Sequence, residues 1–544
     1  MATASIEHGL DGQAGRRWRV LAGAAAVVAV AALAVAVAVA LGSGVALAGD
    51  ASALARLTVG PFGGSIQSVH AVGPHGESLA LTVNGDRLTP VHKLHPGEHV
   101  TVAVQVRRPG WLSWALGSER TQRLSLTTPV ARVSERWITV AGGSQVTVRF
   151  QAPVSSFAFS SGGPLSAHAL GRARRSVSLG SQPPTGSVRI AAAPRPWESL
   201  GPATLVSWFP PSGSAVMVSY PAAGSAITPA REIHLTFSMP VQDALGSALP
   251  RITPSAPGSW SRPDAHTLLF RPSGLGLAMG TQVHVQLPRP VAVSAGSGGT
   301  LHHVSEIAYT VPQGSTLRLQ QLLAQADLLP VDWSPAGAEV PRTPAAEAQA
   351  AVDPPQGSFG WRYADTPHQL QAMWSPGQYG VITRGAVMKF ENEHEMTADG
   401  VAGPAVWRAL LQSALAGSRS SSGYSYVYVH REIPETMTLW HNGRVVLVSP
   451  ANTGISGAET ALGTYPVFEH IPEGTMSGTN PDGTKYHDPG IKWISYFNGG
   501  DALHNFDRAS FGTPQSLGCV ELPLAASAEV WPYTPIGTLV SIET

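Results

Sequence analysis

The sequence predicts a mainly β chain of several domains, opened by one apolar helix and interrupted by a short helical stretch. Three observations predict this. The 544 residues exceed what a single core organises, and a chain of this length divides into three or four domains. It carries 58 Gly and 45 Pro with only 13% charged residues, a composition of turn-rich β domains and stiff linkers rather than helical bundles. Apolar residues alternate in short runs along most of the chain, and a helical period first appears after Gly314. Lys+Arg and Asp+Glu both number 35, and no basic stripe stands out, so nucleic acid is not an expected partner.

The N-terminus sets the compartment. Arg16, Arg17 and Arg19 precede an uncharged stretch from Val20 to Ala48, longer than the roughly 20 residues that cross a bilayer. Arginines before the stretch and Asp50 after it predict a cytoplasmic tail over 1–19 and a membrane segment over 20–48, with everything later outside. Ala46-Leu47-Ala48 has the small-x-small form of a cleavage site, so a cleaved signal is the competing reading. Signal cores usually run about 7–15 residues, which favours a retained anchor here.

Residues 51–210 read as β structure, either one sandwich or two small ones. His99 to Val106 and Gln145 to Phe150 alternate apolar and polar, as half-buried strands do. Arg172, Arg174 and Arg175 read as a solvated loop. A second β domain is expected over 211–312. There Ile233, Leu235 and Phe237 alternate, as do Val283, Val285 and Leu287, and an immunoglobulin-like sandwich suits strands so short and closely spaced. Neither region clusters catalytic residue types. Both read as spacers and contact surfaces.

The helical stretch is expected over 313–415. Leu319, Leu322, Leu323 and Ala326 make one apolar helical face, and helices resume from Arg384 to Phe390 and from Pro404 to Leu411. Residues 334–358, rich in Pro, Ala and Gly, read as an inserted loop. Gly385 to Glu391, the Asp399-Gly400-Val401-Ala402-Gly403-Pro404 turn, Trp407 and Leu410 together resemble the peptidoglycan-binding domain of many cell-wall enzymes. Glu391 stands where that family has Gln, and Val406 where it has Thr. The resemblance implies peptidoglycan as a ligand.

Strand patterns return over 424–544. Asn442-Gly443 between alternating runs is a two-residue hairpin signal. The chain holds one cysteine, Cys519, whereas exported proteins normally pair cysteines in disulfides. A lone thiol is usually a small buried hydrophobe. Here His504 precedes it by fifteen residues across a loop containing Gly512 and Pro514. Thiolates are nucleophiles that need a positioned base, and imidazole suits that task and the protonation of a leaving amine. Gly518 allows close approach to an acyl carbonyl, with the amides of Leu517, Gly518 and Cys519 as an oxyanion hole.

The pattern around them resembles the L,D-transpeptidase catalytic domain, the YkuD type. Thr460, Gly463 and Tyr465, then His504, then Ser516, Gly518, Cys519 and Val520, then Gly537, Thr538 and Val540 follow that family's order. The resemblance implies attack by Cys519 on a peptidoglycan stem peptide, loss of D-alanine, and transfer of the thioester to a neighbouring stem amine as a 3→3 cross-link. It implies His504 as base and acid, oriented by the carbonyl of Asn505, and inhibition by carbapenems. The alternatives are an L,D-carboxypeptidase using the same acyl-enzyme, and an inactive wall-binding protein. Leu517 stands where the family has His, Asn505 where it has Gly or Ser, and Glu521 where it has Arg or Asn, which reverses the charge expected beside a stem carboxylate. Ser516 and Glu521 are expected at the substrate, as are Tyr486, Trp493 and Tyr496 from a lid-like segment. No metal-ligand spacing is met among the nearby acids, and no cofactor is called for. The resemblances and the apolar segment together place the chain at the cell membrane, with its later domains in the wall.

Overall fold

The computed structural model describes residues 14–141, 144–295 and 300–544. Residues 1–13 of the expected cytoplasmic tail lie outside them. The chain forms two compact units, one running to Gly213 with the short stretch Ser294–Thr300, the other made of Ser214–Val293 and Leu301–Thr544.

The first unit begins with the helix Ala14–Gly42. Its part from Gly23 to Gly42 has mean hydropathy 2.8 and none of it is buried, so it is long and apolar enough to cross a membrane. Three residues later the chain enters the strand Val45–Gly49, which pairs antiparallel with Ala55–Val59. The Ala46-Leu47-Ala48 tripeptide therefore lies inside a sheet, in register with Thr58, Leu57 and Arg56. The strand His99–Arg107 runs between Ser65–Val72 and Glu119–Thr127. Its alternation is the cause of its burial. Val100, Val102, Val104 and Val106 are all sealed from solvent, each stabilising the fold by about 1.5 kcal/mol or more.

A second core in this unit lies on a five-stranded sheet that includes Thr147–Ser160, Ser166–Ser178 and Gly186–Ala193, around Val148, Ile190 and Trp208. Arg172, Arg174 and Arg175 are exposed on the edge strand Ser166–Ser178, not in a loop. Cations along an unpaired edge oppose pairing with another chain, and such a strand lacks the apolar alternation by which strands are read.

The second unit starts with a sandwich. Ile233, Leu235, Phe237, Leu268 and Phe270 of one sheet meet Val283, Val285, Leu287 and Tyr309 of another. The helices Thr316–Gln325, Val381–Glu393 and Pro404–Ala416 extend the same core through Leu319, Leu323, Phe390, Trp407 and Leu410. The stretch expected as an inserted loop is instead ordered secondary structure. Strands Val331–Pro335 and Gly357–Trp361 pair, with the helix Pro344–Val352 between them. Thr343 caps that helix by accepting from the Ala346 N–H at 3.3 Å, and Pro344 occupies its first position. An Ala-rich helix with Pro at its start shares the composition of a linker, which hides it from a compositional reading.

The C-terminal domain packs two sheets on one core. The first has strands Ser425–His430, Thr436–His441, Arg444–Pro450, Gly463–Pro466 and Leu539–Glu543. The second has Glu469–Thr479, Lys485–Asn498, Asp501–Asn505 and Val520–Leu522. Val427, Met437 and Leu439 meet Leu503, Val520 and Leu522 between them. Asn442 and Gly443 both have positive φ, 46° and 83°, the two-residue turn that matches strand twist. The helical module abuts this domain at Gly385 and Gly537. A Cβ on Gly385 would lie 2.6 Å from the Gly537 carbonyl oxygen, so only glycine fits.

Candidate active site

His504 lies on the strand Asp501–Asn505, and Cys519 ends a tight bend that leads into Val520–Leu522. The two strands are parallel neighbours, with Leu503 opposite Val520 and His504 opposite Glu521. Parallel pairing brings His504 and the start of the strand that follows Cys519 to one region. His504 and Cys519 line a single cleft of about 680 Å³, together with Tyr486, Tyr496, Ser516 and Leu517.

The bend has a definite construction. Gly518 has φ +116°, and a Cβ there would lie 2.3 Å from Asp501 Oδ1, so glycine is required twice over. The buried Ser516 hydroxyl accepts from the Gly518 N–H at 3.3 Å and donates to the Cys519 carbonyl. Ser516 is itself anchored, since its N–H donates to the Thr453 carbonyl at 3.0 Å and its carbonyl accepts from Ile455 at 2.9 Å. Thr453 is held in turn by the fully buried Glu435, whose carboxylate accepts from the Thr453 N–H and hydroxyl at 2.6 Å each. Glu435 and Thr453 were not legible as site residues, because their partners are remote in sequence.

His504 Nδ1 lies 2.7 Å from the Asn505 carbonyl oxygen. A carbonyl only accepts, so Nδ1 carries the proton and Nε2 keeps a free lone pair. Burial holds the imidazole below its ordinary pKa and therefore neutral at pH 7. The Asn505 side chain is used elsewhere, accepting from the Lys492 N–H at 2.7 Å. The Cys519 thiol points to the Gly500 carbonyl, Sγ to oxygen 3.6 Å. Burial first, then the carboxylates of Asp501 and Glu521, push it up to about 12. Both shifts favour a neutral thiol and a neutral imidazole over an ion pair.

Glu521 is only 3% exposed, and it does not present a bare negative charge. Arg508 Nε and Nη2 grip its two oxygens at 2.8 and 2.7 Å. Arg508 Nη2 also donates to the Gln515 carbonyl at 3.0 Å, and the guanidinium lies 4.5 Å from the centre of the Phe506 ring. Arg508 lines the cleft. The acid at 521 was itself the signal for this residue, since a buried carboxylate calls for a cation.

Tyr486 and Tyr496 line the cleft from the strand Lys485–Asn498. Trp493, expected with them, is not among the lining residues. It takes φ +59° and lies against Trp531, ring centres 5.2 Å apart, while Trp531 stacks on His470. Residue 493 lies an odd number of positions from 486 and 496 along the strand, so alternation alone sets it toward the other face.

A cysteine and a carbonyl-oriented histidine share one cleft, beside a bend rich in main-chain amides, an arrangement with the chemical parts that thiol-dependent acyl transfer uses. Residues 425–542 match the L,D-transpeptidase catalytic domain, and residues 369–410 match a putative peptidoglycan binding domain. The chain carries a C-terminal L,D-transpeptidase catalytic domain preceded by a peptidoglycan-binding domain. Similar solved structures include an L,D-transpeptidase from Mycobacterium smegmatis, 13% identical, covering 61% of this chain and 99% of that one, with a TM-score of 0.21. Another is the catalytic domain of an L,D-transpeptidase from E. faecium, 24% identical over 23% of this chain and 100% of that one, TM-score 0.21. Comparison with curated proteins gives no match.

Proposed function

We propose that the protein is a cysteine-dependent L,D-transpeptidase that joins peptidoglycan stem peptides by 3→3 cross-links. The observation that carries the reading is the shared cleft of Cys519 and His504, with Nδ1 of the imidazole committed to Asn505. His504 Nε2 takes the thiol proton as Sγ attacks the donor stem carbonyl. The Leu517 and Cys519 N–H groups stabilise the oxyanion, the Gly518 N–H being engaged by Ser516. The Sγ–C bond forms, the bond to D-alanine breaks, and the imidazolium returns its proton to the departing amine. A side-chain amine of a second stem then attacks the thioester, gives its proton to His504, and releases Cys519. Tyr486 and Tyr496 flank the acyl site and exclude water. Arg508, rather than residue 521, supplies the cation that meets a stem carboxylate.

The helix Ala14–Gly42 is read as a retained anchor. Cutting after Ala48 would remove four of the five residues of the strand Val45–Gly49, including the buried Val45. Carbapenems are expected to acylate Cys519.

The test is to incubate the protein with disaccharide-tetrapeptides and follow D-alanine and dimers by mass spectrometry. Dimers with D-alanine release support transfer. Tripeptide monomers alone replace it with an L,D-carboxypeptidase. No turnover by folded wild type leaves a wall-binding protein and overturns the proposal.

A further inference from the structure

The helix Gly110–Leu116 leaves Trp111 54% and Trp114 86% exposed. Three residues apart on a helix, the two rings share a face. Phe62, 37% exposed, meets Trp111 edge-on at 5.9 Å. Large aromatics in this number are seldom left in water without a partner.

Their position in the fold names the partner. The Phe62 N–H donates to the Gly42 carbonyl at 2.9 Å, and the Gly60 N–H to that of Gly44 at 2.8 Å. The Phe62 ring is so close that a Cβ on Gly42 would lie 2.6 Å from it. Gly42 is the last residue of the apolar segment Gly23–Gly42. Twenty helical residues rise about 30 Å, the thickness of a bilayer's hydrocarbon core. Gly42 therefore sits at the outer hydrocarbon boundary when the segment spans, and Phe62 and Trp111 sit at the same level. This is the depth at which amphipathic aromatic rings are stabilised, apolar body inward and polar edge toward headgroups. Arg107, exposed three residues before the helix, adds a cation next to the headgroup phosphates.

We propose that Phe62, Trp111 and Trp114 form a membrane-docking edge that seats the first β domain on the outer leaflet beside its own anchor. The inference rests on the anchor reading above and deepens it. The domain then has two attachments to the bilayer, which fixes its tilt where a lone helix followed by a flexible joint would leave it free.

The experiment uses full-length protein in vesicles of phosphatidylethanolamine and phosphatidylglycerol. In a Cys519→Ala background, which removes the sole native thiol, Trp114→Cys, Ala31→Cys and Ser161→Cys each receive an environment-sensitive fluorophore. Ala31 reports the anchor helix, and Ser161 the hairpin turn between Thr147–Ser160 and Ser166–Ser178. Spin-labelled lipid is expected to quench the probes at 31 and 114 at least about twofold more than that at 161, with label near the headgroups most effective at 114. Quenching at 31 but not at 114 overturns the docking edge and leaves the anchor standing. Quenching at neither overturns the anchor itself. Lipid-insensitive shielding at 114 that appears only with added wall material overturns the proposal in favour of a wall contact. A second series with the probe at Phe62→Cys guards against a local effect of replacing Trp114.

Discussion

Glu391 in the helical module and Glu521 in the catalytic cleft are nearly inaccessible, at 1% and 3% exposure, yet they are held in different ways. Glu391 accepts from the Gly400 N–H at 2.8 Å and sits beside Asp399. Burial, with the neighbouring acid, pushes its carboxyl up to about 7. It does what a Gln would do at that place in the turn, accepting one main-chain hydrogen bond. Glu521 has a guanidinium across both oxygens, and that guanidinium reaches the cleft. One buried acid serves local architecture. The other fixes a cation at the wall of the cleft.

The catalytic side of this contrast breaks most completely at the thiol. Cys519→Ala is expected to lower D-alanine release by more than about 10³-fold while leaving thermal unfolding unchanged. A native melt with residual turnover would place the nucleophile elsewhere. Alkylation by iodoacetamide sharpens the picture of the resting state. With the thiol pushed up to about 12, its rate should climb tenfold per pH unit from pH 6 to 9 without a plateau. A plateau near neutrality would mean a preformed thiolate–imidazolium pair.

Arg508→Met tests the paired acid. It strands Glu521 and should cost about 2–3 kcal/mol in denaturant unfolding, less than a wholly buried pair because 30% of the Arg508 side chain is exposed. Adding Glu521→Met should return most of that stability without returning activity. Recovered activity in the double variant would remove Arg508 from substrate contact.

Glu391→Gln is the smallest effect. The folded carboxyl is raised above its unfolded value, so its contribution is fully present below about pH 4.5 and is lost as pH rises through 7. Relative to wild type, the Gln variant should gain on the order of 1 kcal/mol between pH 5 and pH 8. A pH-independent difference would mean that Glu391 stays ionised throughout.

Much of the fold was legible because its signals are local. Alternation from His99 to Val106 and the Asn442-Gly443 turn need no knowledge of distant partners. In the candidate site, Cys519 and His504 announce themselves by residue type, and the structure brings them to one cleft. What stayed hidden depends on pairing across the chain. Arg508 meets Glu521 through a loop, Trp493 packs against Trp531, and Glu435 braces Thr453 from eighteen residues away. The helix Pro344–Val352 was concealed for a different reason, sharing its Ala and Pro with ordinary linkers.

The contact of Gly385 with Gly537 leaves no room for even a methyl group, and the core is continuous on either side of it through Val387, Phe390, Tyr426 and Leu539. There is no hinge at that seam. On the function proposed above, a strand of wall polymer gripped by the helices would be presented to Cys519 at a fixed gauge, like stock clamped in a jig, and the spacing of the bonds made would be set by the seam instead of by the length of a tether.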